Sequence, residues 1–197
     1  MEPHHYERVR PAPIPPATPI VGIGTYRATV INVNDLEQGY AFWSTVTGLE
    51  VIGSDPGGWH GRFGYLGRKD PWKHELILQV VDRPKGEQPN RAHIDVTPTN
   101  GIDDAITQIL ALGGSVKKPP SLYPRPGSHG DEPPIIDWAV MQDPFGNEFC
   151  LVDDLSDAQI EAVAKATAAG ASTDEEWRAA AGLTRQETAD AESTPTS

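Results

Sequence analysis

The sequence repeats itself once, and this internal repeat constrains the fold more than any other feature of the chain. Three pairs of residues, each 65 positions apart, carry the repeat: Asp35 and Asn100, Gly48 and Gly113, and Val51 and Val116. In each copy a capping residue precedes a helical stretch, and a glycine ends it. An internal repeat of this kind predicts two similar modules that pair their sheets. The helices then lie on the outer face, and small and polar side chains lie on the inner, concave face.

Each copy of the repeat predicts one strand, one helix and three further strands. In the first copy, the pattern of apolar residues predicts strands over 26–33, 49–53, 62–66 and 75–81, with a helix over 36–46. In the second copy it predicts strands over 92–96, 115–118, 136–141 and 148–152, with a helix over 102–112 that Asn100 caps. The predicted fold is therefore α+β, with two paired βαβββ modules. Together they form a curved, mostly antiparallel sheet (a half-barrel) with the helices outside.

Differences in composition along the chain predict its domain boundaries. Residues 24–153 form the predicted domain, with modules over 24–82 and 91–153. Residues 1–23 contain six prolines and predict an extended arm. Residues 154–197 predict an acidic, Ala-rich tail, helical or disordered, in which Ser156 and Thr173 are helix N-caps. Within the second module, the prolines and glycines of residues 119–134 predict a long loop without a regular element.

Charge and cysteine content exclude several classes of partner and site. The formal net charge is −12, of which −7 lies from Asp153 onward, so the clustered lysines and arginines of a nucleic-acid-binding protein are lacking. No apolar run reaches the roughly 18 residues of a membrane helix, and the first residues lack the apolar stretch of a signal peptide. We therefore expect a cytoplasmic protein without a membrane partner. Cys150 is the only cysteine and lies in an apolar run, so we expect a small core residue and no disulfide.

Two side chains of the second module are candidate metal ligands. His93 lies in the middle of that module's first predicted strand, where the first module has Ala28. Glu148 begins its last predicted strand, where the first module offers Gln79. If the two sheets close into a half-barrel, these four positions point into one cavity. An imidazole and a carboxylate are two of the three ligands of a facial triad, which suits Fe(II), Mn(II), Ni(II) or Zn(II). Alternatively, His93 and Glu148 are polar groups of a cleft, bonded to each other or to water.

The aromatic residues divide into cleft candidates and core candidates. Amphipathic aromatic side chains give a planar ligand a large contact area at low entropic cost. The candidates for contact with a ligand are Trp59, Tyr65, Trp72 and Tyr123. Three others fit inward-facing core positions, namely Phe42, Trp43 and Trp138.

Three stretches of the sequence carry a family signal: NVNDLE, AFW and GLEV within residues 32–51, AHIDV at 92–96, and DPFGNEF at 143–149. With these motifs, the span from about residue 26 to residue 153 resembles the vicinal oxygen chelate superfamily, which includes glyoxalase I, extradiol dioxygenases, fosfomycin-modifying enzymes and bleomycin-resistance proteins. The resemblance implies that the first and last strands of each module each supply one metal ligand. These positions are Ala28, Gln79, His93 and Glu148. Ala28 has no donor and Gln79 offers only an amide oxygen, so water, His60 or His74 are further candidate ligands. The resemblance also implies a homodimer with the pocket near its interface.

Two functions from different classes agree with this resemblance. The first is a small-molecule-binding protein that sequesters a metabolite or drug in an aromatic-lined cleft, and the missing donor at Ala28 favours it. The alternative is a metal-dependent lyase or isomerase. In that enzyme His93, Glu148 and Gln79 hold one divalent ion (Zn, Ni, Mn or Fe), which chelates vicinal oxygens of the substrate. Glu148 is then also the candidate base. A dioxygenase is less expected, because its pattern needs a histidine in place of Ala28. The predicted cofactor is accordingly one divalent metal ion or none.

Overall fold

The structure, a computed structural model, describes residues 26–54, 61–69, 72–128 and 132–184. The first module contains β1 (Thr29–Val33), α1 (Leu36–Thr47), β2 (Glu50–Ser54), β3 (Phe63–Lys69) and β4 (Trp72–Val80). The second contains β5 (Asp95–Val96), α2 (Ile102–Ala111), β6 (Ser115–Tyr123), β7 (Ile136–Gln142) and β8 (Glu148–Asp154). Two further helices follow, α3 (Asp157–Ala168) and α4 (Asp174–Ala180). Within these ranges, no helix is both long and apolar enough to cross a membrane.

The two modules have the same sheet topology, as the internal repeat predicts. One sheet has the strand order β1-β4-β3-β2 and the other has the order β5-β8-β7-β6. In each sheet the first strand of the module pairs in parallel with the last, and the other pairs are antiparallel. The parallel register places Asn32 beside Gln79 and Asp95 beside Cys150. The predicted α+β class with paired βαβββ modules is therefore confirmed.

The helices α1 and α2 begin and end differently, although the repeat aligns them. The carboxylate of Asp35 accepts a hydrogen bond from the N–H of Gln38 at 2.8 Å and caps α1, which ends at Gly48 in the left-handed region at φ 68°. The prediction that Asn100 caps α2 is wrong, because the N-cap is Gly101 at φ 84° and makes no side-chain hydrogen bond. Acidic residues in the first turn of α2 stabilise its N-terminus electrostatically instead.

One apolar core serves both modules. Phe42 and Trp43 of α1 are 1% exposed, as predicted for core residues, and both pack against Phe149 of β8. The ring centroids of Trp43 and Phe149 lie 5.3 Å apart. The indole N–H of Trp43 also donates to the carboxylate of Asp143 at 3.2 Å, which ties α1 to the turn before β8. The same carboxylate accepts the backbone N–H of Asn147. The DPFGN turn therefore connects the helix of the first module to the sheet of the second.

The prediction of a loop over residues 119–134 is wrong for its first part. Strand β6 continues through Pro119 and Pro120 and ends only at Tyr123. Proline lacks the N–H that a central strand must donate, but β6 is the edge strand of its sheet. The register between β6 and β7 also shifts between Lys118 and Ser121, where the two prolines lie. An edge position and an irregular register thus allow a strand that the proline content argues against.

The last two helices pack on the second module. Ser156 and Thr173 form capping boxes with Gln159 and Glu176, so the predicted N-caps are confirmed. A second apolar cluster joins these helices to β6 and the end of β8: Leu122, Leu155, Val163, Trp177 and Ala181. Beside this cluster, Arg178 of α4 forms a buried ion pair with Asp137 of β7. The Nε of Arg178 donates to both carboxylate oxygens of Asp137 at 3.0 Å. The predicted domain boundaries at residues 24 and 153 stay predictions.

Candidate functional site

The two faces of the second sheet differ in burial. Along β7, Asp137, Ala139 and Met141 are buried and alternate with half-buried side chains. Since successive side chains of a strand point to opposite faces, the half-buried set lies on the face away from the core. Trp138 belongs to this set, and the ammonium group of Lys118 lies 3.6 Å from its ring centroid. The prediction that Trp138 is a core residue is therefore wrong.

A groove of about 300 Å³ lies between the facing edges of the two sheets. It is lined by β1, by residues 90–94 before β5, and by the start of β8. The side chains along it include Val30, Asn32, Asn90, His93, Asn147 and Glu148. The groove thus brings the two candidate ligands His93 and Glu148 to one place. Among the described residues that line it, neither Ala28 nor Gln79 occurs.

Glu148 is fully engaged by neighbouring groups. Its side chain is 11% exposed and contacts the ammonium group of Lys117 directly. The backbone N–H of Asn90 donates to its other oxygen at 3.3 Å, and the ammonium group of Lys85 lies 3.8 Å away. The hydrogen bond from Lys117 lowers the pKa of Glu148 most, although partial burial opposes it. Glu148 is therefore an ionised carboxylate that already has cationic partners.

A β-bulge in β6 places Lys117 and Lys118 at this site. Val116 pairs with Met141 and Lys118 with Val140, so one extra residue, Lys117, is inserted into β6. A bulge lets two consecutive side chains reach the same face of a sheet. Lys117 contacts Glu148 and Lys118 covers Trp138, both on the inner face. Sequence reasoning missed these residues, although a pair of adjacent lysines in an acidic chain is a visible signal.

His93 has a different set of neighbours from Glu148. Its side chain is 52% exposed, and its Nε2 lies 3.3 Å from a carboxylate oxygen of Asp95, which is 61% exposed. Asp95 pairs with Cys150 across the parallel strands, and its carboxylate lies within 4.8 Å of the thiol sulfur. Burial raises the pKa of the Cys150 thiol, and the carboxylate of Asp95 raises it further. Cys150 is buried, as predicted, but its neighbours include charged and polar groups of the inner face.

The four strand positions that the resemblance assigns to a metal do not fit one in this chain. Ala28 has no donor atom, and Gln79 does not line the groove with His93 and Glu148. The carboxylate of Glu148 is held by Lys117, whose positive charge repels a divalent cation at the same place. His74 accepts a hydrogen bond from Arg27 at 2.9 Å, and His60 lies outside the described residues. No reaction step through a metal at these positions follows from this arrangement.

The predicted ligand-binding aromatics are spread over several parts of the chain. Tyr65 is half-buried on β3, with its ring centroid 5.6 Å from that of His74. Tyr123 is exposed at the end of β6. Trp72 begins β4, and Trp59 lies outside the described residues. Among the described residues that line the groove, Trp43 is the aromatic one. Contact of the four predicted aromatics with a ligand stays a prediction.

Residues 28–152 of the chain match the family described as Glyoxalase-like domain. Similar solved structures include the fosfomycin resistance protein FosX from Listeria monocytogenes, with 18% identity and a TM-score of 0.47 over 66% of this chain and 93% of that chain. A member of the glyoxalase/bleomycin resistance protein/dioxygenase superfamily from Sphaerobacter thermophilus has 22% identity and a TM-score of 0.45, over 67% and 98%. A glyoxalase I mutant from Zea mays has 21% identity and a TM-score of 0.45, over 64% and 45%. No curated protein matches the sequence.

Proposed function

Because the chain belongs to the Glyoxalase-like domain family, we propose that it is a small-molecule-binding protein whose ligand, a metabolite or drug, lies in the groove between β1 and β5. A cavity of about 300 Å³ lies at the lower end of the usual range for small-molecule sites. Its lining combines aliphatic side chains such as Val30 and Ile94 with the amides of Asn32 and Asn90. This mixture suits a ligand that is largely apolar and is oriented by a few hydrogen bonds.

The observation that carries this proposal is the contact between Lys117 and Glu148. A free carboxylate in the groove would favour a metal-dependent reaction or general-base catalysis. Here the cations beside the carboxylate offset its charge and lower its pKa, so it attracts a metal ion less strongly and is a weaker base. The groove can therefore bind a small molecule, but Glu148 is not in the state that a metal ligand or a general base requires.

Filling the groove tests the proposal. Val30 lies on β1, lines the groove and is 52% exposed, so Val30→Trp occupies the cavity and removes little buried packing. We expect ligands from a metabolite and drug panel to raise the melting temperature of the unmodified protein and to leave that of Val30→Trp unchanged. Val51→Trp is the matched control, because Val51 is similarly exposed on β2 and does not line the groove. Equal stabilisation of both variants by the same ligand would contradict the proposal.

A metal-dependent lyase or isomerase is the second candidate. The observation that favours it is that His93 and Glu148 line the same groove. It requires Lys117 to leave Glu148, and turnover would then depend on added divalent metal and on Glu148. Metal-independent ligand binding with no conversion of the ligand supports the first candidate against it. The homodimer and the cytoplasmic location also stay predictions.

A further inference from the structure

We propose that His93, Asp95 and Cys150 bind one divalent transition-metal ion, such as Zn²⁺ or Co²⁺, beside the groove. This site goes beyond the proposed function, which requires no metal. It shares His93 with the positions that the family resemblance implies. Its other two ligands are different: Asp95 lies two residues after His93, and Cys150 lies two residues after Glu148. Glu148, the implied carboxylate ligand, is not part of it.

The register of the parallel strands places the three ligands together. His93 and Asp95 are two residues apart, so their side chains point to the same face of the extended chain. Cys150 is the register partner of Asp95 on β8 and lies beside it on that face. One ligand atom from each of the three side chains lies within 4.8 Å of the other two. Among the described residues, this is the one group of three histidine, cysteine or acidic side chains whose ligand atoms lie this close together.

The distances are close to those of a metal site. In a tetrahedral zinc site with bonds of about 2.0–2.3 Å, ligand atoms lie about 3.3–3.7 Å apart. The Nε2 of His93 and the carboxylate oxygen of Asp95 are 3.3 Å apart, which already matches one edge of such a tetrahedron. The thiol sulfur of Cys150 lies within 4.8 Å of the other two ligand atoms, so it needs to approach them by at most about 1 Å.

The chemical types of the three ligands select the class of ion. An imidazole, a thiolate and a carboxylate suit a borderline-soft ion such as Zn²⁺, whereas Mg²⁺ and Ca²⁺ prefer oxygen ligands alone. Three protein ligands leave a fourth position of the tetrahedron for water or for a molecule in the groove. That position is accessible, because His93 and Asp95 are more than half exposed while Cys150 is buried beneath them.

The charged partners of the two carboxylates, Asp95 and Glu148, explain why the ion is expected at Asp95 and not at Glu148. Glu148 precedes Cys150 by two residues on β8 and is neutralised by Lys117. Among the residues that the structure describes, the ion-pair partner of Asp95 is His93, and no lysine or arginine pairs with its carboxylate. A divalent ion is therefore attracted to the Asp95 end of the two strands and repelled from the Lys117 end.

Cobalt titration of the full-length, reduced protein tests the site. We expect one Co²⁺ per chain with a near-ultraviolet thiolate-to-cobalt charge-transfer band, and displacement of the cobalt by Zn²⁺. Cys150→Ser should abolish the band, because a hydroxyl does not replace the thiolate. Asp95→Asn should weaken cobalt binding by more than about 100-fold, the upper end of losses seen for outer-sphere partners. Glu50→Gln is the matched control and should bind cobalt with the affinity of the unmodified protein, because Glu50 is as exposed as Asp95 and lies on β2 of the other sheet.

Two further variants keep the outcome decisive. His4→Ala combined with His5→Ala removes the one pair of adjacent histidines in the sequence, a competing place for cobalt, and should leave the thiolate band unchanged. If Cys150→Ser is destabilised, as judged by its circular dichroism, the exposed residues are tested instead through Asp95→Asn and His93→Gln. Cobalt binding without a thiolate band overturns the proposal. So does cobalt binding that Glu148→Gln abolishes and Asp95→Asn retains, or the absence of any binding to the reduced protein.

Discussion

The contact with Lys117 limits the chemical roles that are open to Glu148. A glutamate at the start of the last strand is typical of a metal ligand or a base in the superfamily that the sequence resembles. In this chain Lys117 and the N–H of Asn90 occupy its two oxygens. Neither partner lies near Glu148 in the sequence, since Lys117 is 31 residues away and Asn90 is 58. Glu148 could therefore be named as a candidate from the sequence, whereas its charged and hydrogen-bonding partners could not.

Removing Lys117 should raise the pKa of Glu148. The hydrogen bond from Lys117 is the largest of the influences that lower this pKa, so Lys117→Met shifts it back toward its ordinary value. A carboxyl whose folded pKa lies below its unfolded pKa adds stability above the unfolded value, and this stability is lost as the pH falls through the folded value. Lys117→Met should therefore cost up to about 1 kcal/mol at neutral pH, because Lys117 is partly exposed, and nothing at low pH.

This prediction is checked by NMR titration of the Glu148 carboxyl and by urea unfolding at several pH values. Lys69→Met serves as a control, because Lys69 forms an ion pair with Glu50 at 2.9 Å between two well-exposed side chains. We expect that control to leave the titration of Glu148 unchanged. An unaltered Glu148 titration in Lys117→Met would show that the lysine does not determine the charge state of the site.

At the scale of elements, strand β6 and helix α4 are linked through the second sheet. Strand β6 lies at the sheet edge and brings Lys117 and Lys118 to its inner face. On the other face of the same sheet, Arg178 of α4 reaches the buried carboxylate of Asp137 on β7, and its guanidinium also donates to Asp103 of α2 at 2.7 Å. Desolvation in this position raises the pKa of Asp137 to about 6, against the opposing charge of Arg178. The C-terminal helices thus supply the charge that a core carboxylate of the second module requires.

Arg178→Met should destabilise the protein by about 3–5 kcal/mol at neutral pH, because it leaves Asp137 buried without its cation. The folded pKa of Asp137 is raised, so its ionised form costs stability as the pH rises through that value. The loss in Arg178→Met should therefore be smaller near pH 5 than near pH 7.5. Urea unfolding at both pH values measures the difference.

A double variant separates the buried charge from lost packing. Arg178→Met combined with Asp137→Asn leaves no unpaired charge in the core and should lose less stability than Arg178→Met alone. Arg125→Met is a control for the loss of an arginine near α4, because Arg125 is exposed and its guanidinium lies 5.4 Å from the ring of Trp177. If all three variants unfold at the same urea concentration, the ion pair has no structural role.

For the whole molecule, the shared core predicts that the two modules unfold together. Phe149 of the second module is fully buried and packs against Phe42 and Trp43 of the first. Phe149→Ala should reduce the free energy of unfolding by about 3–5 kcal/mol. It should also lower the melting temperature of both modules in one transition, which calorimetry measures. Val116→Ala, at a partly exposed position on β6, should have little effect. Two separate transitions in Phe149→Ala would indicate modules that are independently stable.

Much of the fold was predictable because it depends on local patterns. The apolar periodicity that predicts α1 and the strands arises from residues close together in the sequence, as do the caps at Asp35, Ser156 and Thr173. The prediction of a loop over 119–134 was wrong at Pro119 and Pro120, because a strand at the edge of a sheet tolerates proline and a central strand does not. That property belongs to the order of strands in the sheet.

The sequence by itself determined the two-module architecture and the positions of the helices. Repeat spacing and periodicity suffice for these features, since each residue's environment follows from its neighbours along the chain. Only the tertiary structure decided that Lys117 neutralises Glu148, that Trp138 faces away from the core, and that His93, Asp95 and Cys150 meet. These contacts depend on the register between strands and on a bulge in β6, and a shift of one residue in either would replace every one of them.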